Sequence, residues 1–305
     1  MTTVRELIER ENSVIEAGFE PVSASRLAAL RERQQKETPV VQTFLPRWNR
    51  ACRGEGGGLG LAYGWYVLLA GLTGTGKTLL ALNLVATALT SGVSILFVSL
   101  EMSWEQLVTR LRPIVSGVEV SHLEWGPYFR PEKAEAADRA ILEQPGALYF
   151  NTEAIWRLKD IRHALEHHAE RGVRLVILDY AQLVAPDGSD RKLFEAMSEI
   201  SSQLRYEAKR LGVVCVVLSQ LNRSATRERQ SPPTIDGLFG SSRFGFDADQ
   251  VLALDYSKRD RDPLRRAERT RLLLLKNRHG PALTGESAVD STLDFATFRV
   301  TETAE

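Results

Sequence analysis

The sequence predicts an α/β fold with a twisted, mainly parallel sheet and helices on both faces. Short continuous runs of Val, Ile and Leu recur along the chain, and a glycine-rich loop that opens a helix follows the first of them. Continuous rather than alternating apolar runs are typical of strands covered on both faces. The predicted strands are Tyr66–Gly71, Ser94–Glu101, Arg174–Tyr180, Val213–Gln220, Val251–Tyr256 and Arg271–Asn277.

Two helices are predicted between these strands with particular clarity. The first runs from Thr78 to Leu89, directly after the glycine-rich loop. The second precedes the Val213 strand and ends at Gly212, a residue type that commonly closes helices. Its apolar residues recur at helical spacing, which predicts one buried face: Phe194, Met197, Ile200, Leu204, Ala208 and Leu211.

The chain is predicted to divide into residues 1–60, a helical arm with a Gly-rich linker, and residues 61–305, the main domain. Ser23–Ser25 can cap an arm helix, and Pro39 limits its end. The arm has too few apolar positions for its own core, so it is expected to pack on another element, a neighbouring subunit being one option. Residues Gly54–Gly60 show Gly-x-Gly spacing, but no strand precedes them and no helix follows, which favours a turn or flexible connection.

Composition places few limits on function. The 305 residues are 43% hydrophobic with zero formal net charge, enough for one well-buried domain. Neutrality gives no sign of nucleic-acid binding, although a ring can confine its positive charge to a channel. Cys52 and Cys215 form no metal-binding pattern, which predicts a reducing, cytoplasmic setting. The charged N-terminus is not a signal peptide, and no apolar stretch is long enough to span a membrane.

A complete phosphate-binding loop lies at Gly71–Thr78. It fits GxxxxGK[ST], follows an apolar strand and opens a helix. Its glycines and Thr75 let backbone N–H groups surround phosphate oxygens at the helix N-terminus, so the residues expected to bind an NTP such as ATP are Gly71, Gly74, Thr75, Gly76, Lys77 and Thr78. Lys77 is expected to reach the β- and γ-phosphates, and the Thr78 hydroxyl to bind Mg²⁺.

Three polar residues stand at the ends of other predicted strands, where open α/β sheets bind ligands. Asp179 is placed to hold Mg²⁺ with its hydration shell, Glu101 to polarise an attacking water, and Gln220 to sense the γ-phosphate. Simple solvation of loop residues is the alternative for each. An acidic residue on the strand directly after the P-loop helix, separate from the Asp179 strand, is the RecA-type arrangement. The sequence therefore predicts a RecA-like P-loop NTPase core.

Five further motifs follow in a fixed order: SLEMS (Ser99–Ser103), LDYAQL (Leu178–Leu183), LSQLNR (Leu218–Arg223), DADQV (Asp247–Val251) and KNRHGP (Lys276–Pro281). With the P-loop they resemble the motif series of the C-terminal motor domain of DnaB-type replicative DNA helicases. The likeness runs from about Gly64 to Val300. Two of the motifs are moderately specific alone, and the ordered series is highly specific.

The resemblance implies a hexameric ring that hydrolyses NTP between subunits and moves single-stranded DNA through its centre with 5′–3′ polarity. By this resemblance Glu101 is the catalytic glutamate, Asp179 the Walker-B aspartate and Gln220 the γ-phosphate sensor. Arg278 matches the arginine finger given to the neighbour's nucleotide, and Lys276 its companion lysine. From the residues alone, a basic pair after an apolar strand is equally consistent with a solvated strand end.

The sequence also departs from the family. Only some 60 residues precede the sheet, so the N-terminal collar domain is not expected and primase or loader partners are unknown; the pattern suits a phage or mobile-element type. Gly240 stands where the family usually has glutamate, in its DNA-facing loop region. Arg243 there can contact phosphates. The phenylalanines around it can contact bases or belong to the core: Phe239, Phe244 and Phe246.

Other functions stay open at this stage. A RecA- or KaiC-like ATPase acting in recombination or regulation without unwinding would carry the same P-loop. An assembly module whose nucleotide only stabilises a ring is a third option. His163 and His167, four residues apart on a predicted helix, suit either metal binding or a solvated helix face. The ordered motifs favour a helicase motor.

Overall fold

A computed structural model of the chain describes residues 39–52, 59–151, 156–185, 193–221, 232–238, 242–255 and 267–303, with the side chains of residues 193, 194, 242 and 243 left out. The predicted arm helix and most of the Gly-rich linker lie outside these ranges. Among the residues that the structure describes, no helix is both long and apolar enough to cross a membrane.

The described helices and strands alternate over most of the chain. The strands are β1 (Val40–Val41), β2 (Leu61–Ala62), β3 (Tyr66–Gly71), β4 (Ser94–Ser99), β5 (Leu148–Phe150), β6 (Val173–Asp179), β7 (Val214–Gln220), β8 (Gln250–Asp255), β9 (Ala267–Asn277), β10 (Val289–Asp294) and β11 (Val300–Glu302). The helices are α1 (Pro46–Ala51), α2 (Lys77–Thr90), α3 (Trp104–Ser116), α4 (Val120–Leu123), α5 (Pro131–Leu142), α6 (Leu158–Glu170), α7 (Leu193–Leu211) and α8 (Ser242–Asp247).

Nine of these strands form one sheet in the order β11-β10-β9-β8-β3-β7-β6-β4-β5. The six strands from β8 to β5 are parallel, and the three at the other end are antiparallel. The P-loop strand β3 lies inside the sheet between β7 and β8. The chain therefore passes over β7 and β6 to reach β4, and α2 lies on this crossover.

Alternate residues of the central strands point into two separate cores. On β4, Ile95 and Phe97 pack with α2 and α3, whereas Leu96 and Val98 pack with α6 and α7. Burial on both faces explains why these strands read as continuous apolar runs. The helix before β7 ends as predicted, since Gly212 adopts the left-handed conformation at φ 61°.

Residues 39–52 pack onto the sheet. β1 pairs with β2, and Leu45, Trp48 and Cys52 are buried in the core on the α2 face. The Trp48 indole donates a hydrogen bond of 3.0 Å to the Gln250 side chain at the start of β8. The described end of the predicted arm is thus continuous with the sheet domain.

The six predicted strands are present, with ends shifted by up to four residues. The sequence did not predict β5, β10 or β11, because their local patterns are weak. β5 has three half-buried residues, and β10 alternates buried and accessible positions in its first half. They form where pairing with a neighbouring strand supplies the hydrogen bonds: β5 pairs with β4, β10 with β9, and β11 with β10.

Phe97 tests the central packing. Its ring is fully buried and lies 5.8 Å from that of Phe150. Phe97→Ala should lower the free energy of unfolding by about 3–5 kcal/mol, because it removes apolar contacts and leaves a cavity. Trp125, which is 93% exposed, provides the control. Trp125→Ala should change the free energy of unfolding by no more than about 0.5 kcal/mol. Urea titration by circular dichroism measures both, and equal effects would contradict the assigned core.

Candidate functional site

The P-loop turns from the carboxyl end of β3 into α2. Gly76 caps α2 with φ 89°, a conformation that glycine adopts without strain. A Cβ added to Gly71 would lie 2.8 Å from Thr75 Oγ1 and 3.2 Å from Lys77 Cγ, so a larger residue there would displace these two side chains. The free N–H groups at the start of this 14-residue helix face the loop and suit an anion.

Two side chains bond to the loop's own backbone. Lys77 Nζ donates to the carbonyl oxygens of Gly71 and Leu72 at 3.0 and 2.9 Å, and Thr75 Oγ1 donates to Leu72 O at 2.5 Å. Burial lowers the pKa of Lys77, against the opposing charges of Asp179 and Glu101. The ammonium group is thereby held beneath the loop, next to the α2 N-terminus.

Thr78 and Asp179 form a pair of oxygen groups on one side of the loop. The Thr78 hydroxyl donates to Asp179 Oδ2 at 2.7 Å. Burial raises the pKa of Asp179 to about 6, and Glu101 adds to the rise while Thr78 and Lys77 oppose it. A hydroxyl and a carboxylate are hard oxygen donors, and Mg²⁺ commonly takes one or two carboxylates together with substrate phosphates. The pair fits Mg²⁺ on chemical grounds.

The sheet register brings the other predicted residues to the same edge. Gly71 of β3 lies opposite Gln220 of β7, and Ser99 of β4 opposite Asp179 of β6. Glu101 follows two residues after β4, and its charge acts on Lys77, Asp179 and Tyr180. Burial raises the pKa of Tyr180, and the nearby Gln220 side chain opposes the rise. Lys77, Thr78, Asp179, Glu101 and Gln220 thus meet around one cleft.

The cleft, of about 290 Å³, also contains residues that the sequence did not indicate. These are Arg110 of α3, Leu254 of β8, Glu268 and Thr270 of β9, Leu293 of β10, and Phe295 and Val300 beyond it. The antiparallel strands thus form one wall of the cleft. Their pattern carries no local signal for this, because the wall depends on how the last strands fold back beside β8.

Lys276 and Arg278 lie at the opposite edge of the sheet. Lys276 is the second-last residue of β9, and Arg278 directly follows the strand. This end of β9 pairs with the start of β8, and the Arg278 N–H donates to Asp249 O. Asp249 is bonded in turn to the backbone of Tyr66, the first residue of β3, whereas the P-loop follows the last residue, Gly71. Five residue steps at about 3.3 Å separate these ends by roughly 17 Å. The structure does not bring Arg278 to the P-loop of its own chain.

The side chains of both basic residues bond to the end of α8. Lys276 Nζ donates to the carbonyls of Gly245 and Phe246 at 2.8 Å, and the Arg278 guanidinium donates to Phe246 O at 3.0 Å. Arg278 also lies 3.6 Å from Asp249 Oδ1. Burial lowers the pKa of Lys276, and the charge of Arg278 adds to this. The Arg278 side chain stays 38% exposed.

The predicted DNA-facing aromatics separate into two kinds. Phe244 is fully buried in the α7 face of the core, whereas Phe246 is 69% exposed. Phe239, Gly240 and the Arg243 side chain lie outside the described residues. Across the described ranges, no group of three potential metal-binding His, Cys, Asp or Glu side chains occurs, so the His163 and His167 pair has no third ligand there.

The mainly parallel sheet and the P-loop at the end of an inner strand define the class of P-loop nucleotide-binding proteins. A model of the "DnaB-like helicase C terminal domain" family matches residues 58–299. The chain belongs to this family, and the resemblance drawn from the ordered motifs is confirmed.

Individual relatives agree with this assignment. Over 227 residues the chain is 29% identical to the replicative DNA helicase DnaB of Leifsonia xyli subsp. xyli, covering 74% of this chain and 50% of that protein. Over 232 residues it is 32% identical to the protein of the same name from Geobacillus stearothermophilus, covering 73% and 50%. The chain spans about half the length of these curated relatives.

A solved structure supports the fold. The structure of a DnaB-like replicative helicase superposes with a TM-score of 0.76 at 20% identity, covering 97% of this chain and 71% of that one. The predicted RecA-like α/β fold class is confirmed.

The buried Asp179 carboxyl predicts a pH-dependent stability. Its pKa is about 6 when folded, against an ordinary value of 3.8, so between these values the folded chain binds more protons and stability falls as pH rises. In nucleotide-free buffer at pH 8, Asp179→Asn should therefore be more stable than wild type by roughly 1–3 kcal/mol.

The stability difference should shrink as the pH is lowered from 6 towards 4. Urea titrations of both proteins at a series of pH values measure it. Equal stabilities at pH 8, or a difference that grows on acidification, would contradict the burial of a charged Asp179.

Proposed function

We propose that this chain is the motor of a DnaB-type DNA helicase, which hydrolyses ATP or another NTP at subunit interfaces and translocates on single-stranded DNA during DNA replication. The observation that carries the proposal is the separation of the P-loop cleft from Arg278 within one chain. The P-loop cleft lies at one edge of the sheet, and Arg278 lies at the other. A second protomer that presents its Arg278 to this cleft completes the site.

The phosphate-binding roles fall to the loop and its neighbours. Backbone N–H groups of the loop surround the phosphates, and Lys77 exchanges its loop carbonyls for the β- and γ-phosphate oxygens. Thr78 and Asp179 hold Mg²⁺ with its waters, and their 2.7 Å hydrogen bond supports this pairing. When bound, the ion neutralises charge that develops on the phosphates.

Glu101 and Gln220 act on the attacking water and the γ-phosphate. The Glu101 carboxylate is exposed to the cleft and stands close enough to influence Lys77 and Asp179. This supports a role as the base that orients and deprotonates water. Gln220 lies beside Gly71 and near Tyr180, so its amide can respond to the γ-phosphate and relay its loss.

The trans-acting group comprises Arg278 as the arginine finger and Lys276 as its companion. Fingers of this kind stabilise transition-state charge and contribute about 10³–10⁵ in rate. A closed ring, which we expect to be a hexamer, gives every cleft a neighbour's Arg278. The division into an arm of residues 1–60 and a motor of residues 61–305 remains a prediction, as does a role for the exposed Phe246 in contacting DNA.

A strand-displacement assay on a forked duplex tests the proposed function. Wild-type protein with ATP and Mg²⁺ should displace the strand and hydrolyse ATP faster when single-stranded DNA is added. Lys77→Ala should lose both activities, because the ammonium group that neutralises the phosphates is gone. Hydrolysis stimulated by single-stranded DNA without displacement would instead identify a RecA- or KaiC-like ATPase.

Glu101→Gln should separate binding from turnover. The amide keeps the size of the side chain and cannot take a proton, so nucleotide affinity should stay within about threefold while turnover falls by about 10²–10⁴-fold. Fluorescent-nucleotide titration and steady-state phosphate release measure the two quantities. Turnover close to wild type would remove Glu101 from the role of base.

Mixing two inactive variants tests the shared site. Arg278→Ala keeps a complete P-loop, and Lys77→Ala keeps a complete finger, so mixed interfaces should recover part of the hydrolysis that neither variant shows alone. Nucleotide binding by Arg278→Ala should persist, since Lys77, Thr78 and Asp179 belong to the same chain as the loop. Mixed rings without recovered activity would exclude a finger supplied in trans.

A further inference from the structure

The turn that carries Arg278 is fixed by one side chain, that of Asn277. Its Oδ1 accepts hydrogen bonds from Gln250 Nε2 at 3.1 Å and from the His279 N–H at 3.2 Å. Its Nδ2 donates to the carbonyls of Ala51 and Pro281 at 2.9 and 3.0 Å. An asparagine side chain offers two acceptor positions and two donors, so Asn277 uses all four.

These four bonds connect three separate parts of the chain. Two of them close the turn on itself, at residues 279 and 281. A third reaches the start of β8, and the fourth reaches Ala51, the last residue of α1. The turn lies close to the end of α1 at Gly280, because a Cβ there would lie 2.4 Å from Ala51 O and 2.8 Å from Asn277 Nδ2. The His279 ring also stacks on Trp65 at 4.4 Å.

Gln250 extends the connection into the core. Its side chain is fully buried, accepts from Trp48 Nε1 at 3.0 Å and contacts Cys52 Sγ at 3.1 Å through Nε2. A buried amide is costly unless its hydrogen bonds are satisfied, and here they all go to α1, its following residue and Asn277. The Gln250–Asn277 pair therefore joins α1 rigidly to the turn between Lys276 and Pro281.

We propose that Asn277 and Gln250 are positioning residues for Arg278, which set the place from which it is presented to the neighbouring protomer. This inference rests on the proposed function, since it concerns the finger of the shared site. Neither amide lies near the P-loop of its own chain. Removing either amide should weaken the contribution of Arg278 to the neighbouring protomer's cleft. It should leave the P-loop of the same protomer functional.

The mixing assay separates those two properties. Mixing Asn277→Ala protomers with Lys77→Ala protomers should restore hydrolysis. The Asn277→Ala protomer keeps its P-loop, and the Lys77→Ala protomer supplies an intact finger. The double variant Asn277→Ala/Lys77→Ala should be about 10–100-fold poorer than Lys77→Ala at restoring hydrolysis to Arg278→Ala, since misplacing a catalytic group by about 1 Å costs up to ~10²-fold. Gln250→Met in place of Asn277→Ala should likewise lower the hydrolysis restored through the finger and leave P-loop function intact. This second variant covers the case that Asn277→Ala does not fold.

Asn49 supplies the matched control. It is an amide side chain within α1 itself, and its oxygen and nitrogen bond to the backbone N–H and carbonyl of Thr43, each at 2.8 Å. Asn49→Ala/Lys77→Ala protomers should restore hydrolysis to Arg278→Ala protomers to the same extent as Lys77→Ala protomers do. Thermal unfolding and sedimentation are measured for every variant, so that stability and ring formation are compared directly.

Three results would overturn the inference. One is that Asn277→Ala/Lys77→Ala and Gln250→Met/Lys77→Ala protomers restore as much hydrolysis to Arg278→Ala protomers as Lys77→Ala protomers do. Another is an equal loss of finger donation and P-loop function, which would mean that Asn277 and Gln250 only stabilise the fold. The third is failure of the Arg278→Ala and Lys77→Ala mixture itself, which overturns the shared site of the proposed function and, with it, the positioning role that rests on that site.

Discussion

Strand β3 is the element on which both halves of the candidate site depend. Its carboxyl end leads into the P-loop, and its first residue, Tyr66, is hydrogen-bonded to Asp249, the residue that lies beside Arg278. The strand is fully buried between β7 and β8. Because a strand cannot shorten, the two ends of β3 stay about 17 Å apart within one chain. This placement supports the proposed completion of the site by a second protomer.

The P-loop edge combines opposite charges in a partly buried cleft. Lys77 and Asp179 are both displaced from their ordinary pKa values by burial, and each partly offsets the other. In the proposed function, a triphosphate and a divalent cation bring charges that suit this pair. The Arg278 edge differs, since its cation is bonded to a helix carbonyl and remains accessible.

Much of the fold could be predicted because its signals are local. The β3 and β6 runs are apolar on both faces, and the Gly71–Thr78 loop has a fixed spacing that few other functions require. Glu101, Asp179 and Gln220 were found for the same reason, since parallel strands bring their carboxyl ends to one edge. Family resemblance, rather than local pattern, singled out Arg278.

The rest of the site depends on contacts between distant residues. Phe295 and Thr270 reach the cleft only because β9 and β10 fold back antiparallel beside β8. Asn277 meets Ala51 across 226 positions of sequence, and no periodicity encodes that contact. Phe244 and Phe246 stand two residues apart with opposite burial, which a six-residue helix alone does not determine.

The dependence of turnover on protein concentration tests the shared site most directly. ATP hydrolysis per protomer is measured over a dilution series, with sedimentation recording the oligomeric state at each point. A site divided between protomers predicts negligible turnover where only monomers are present and a steep rise to a plateau as rings form, with single-stranded DNA sharpening the rise. Constant turnover per protomer down to fully monomeric solutions would contradict it.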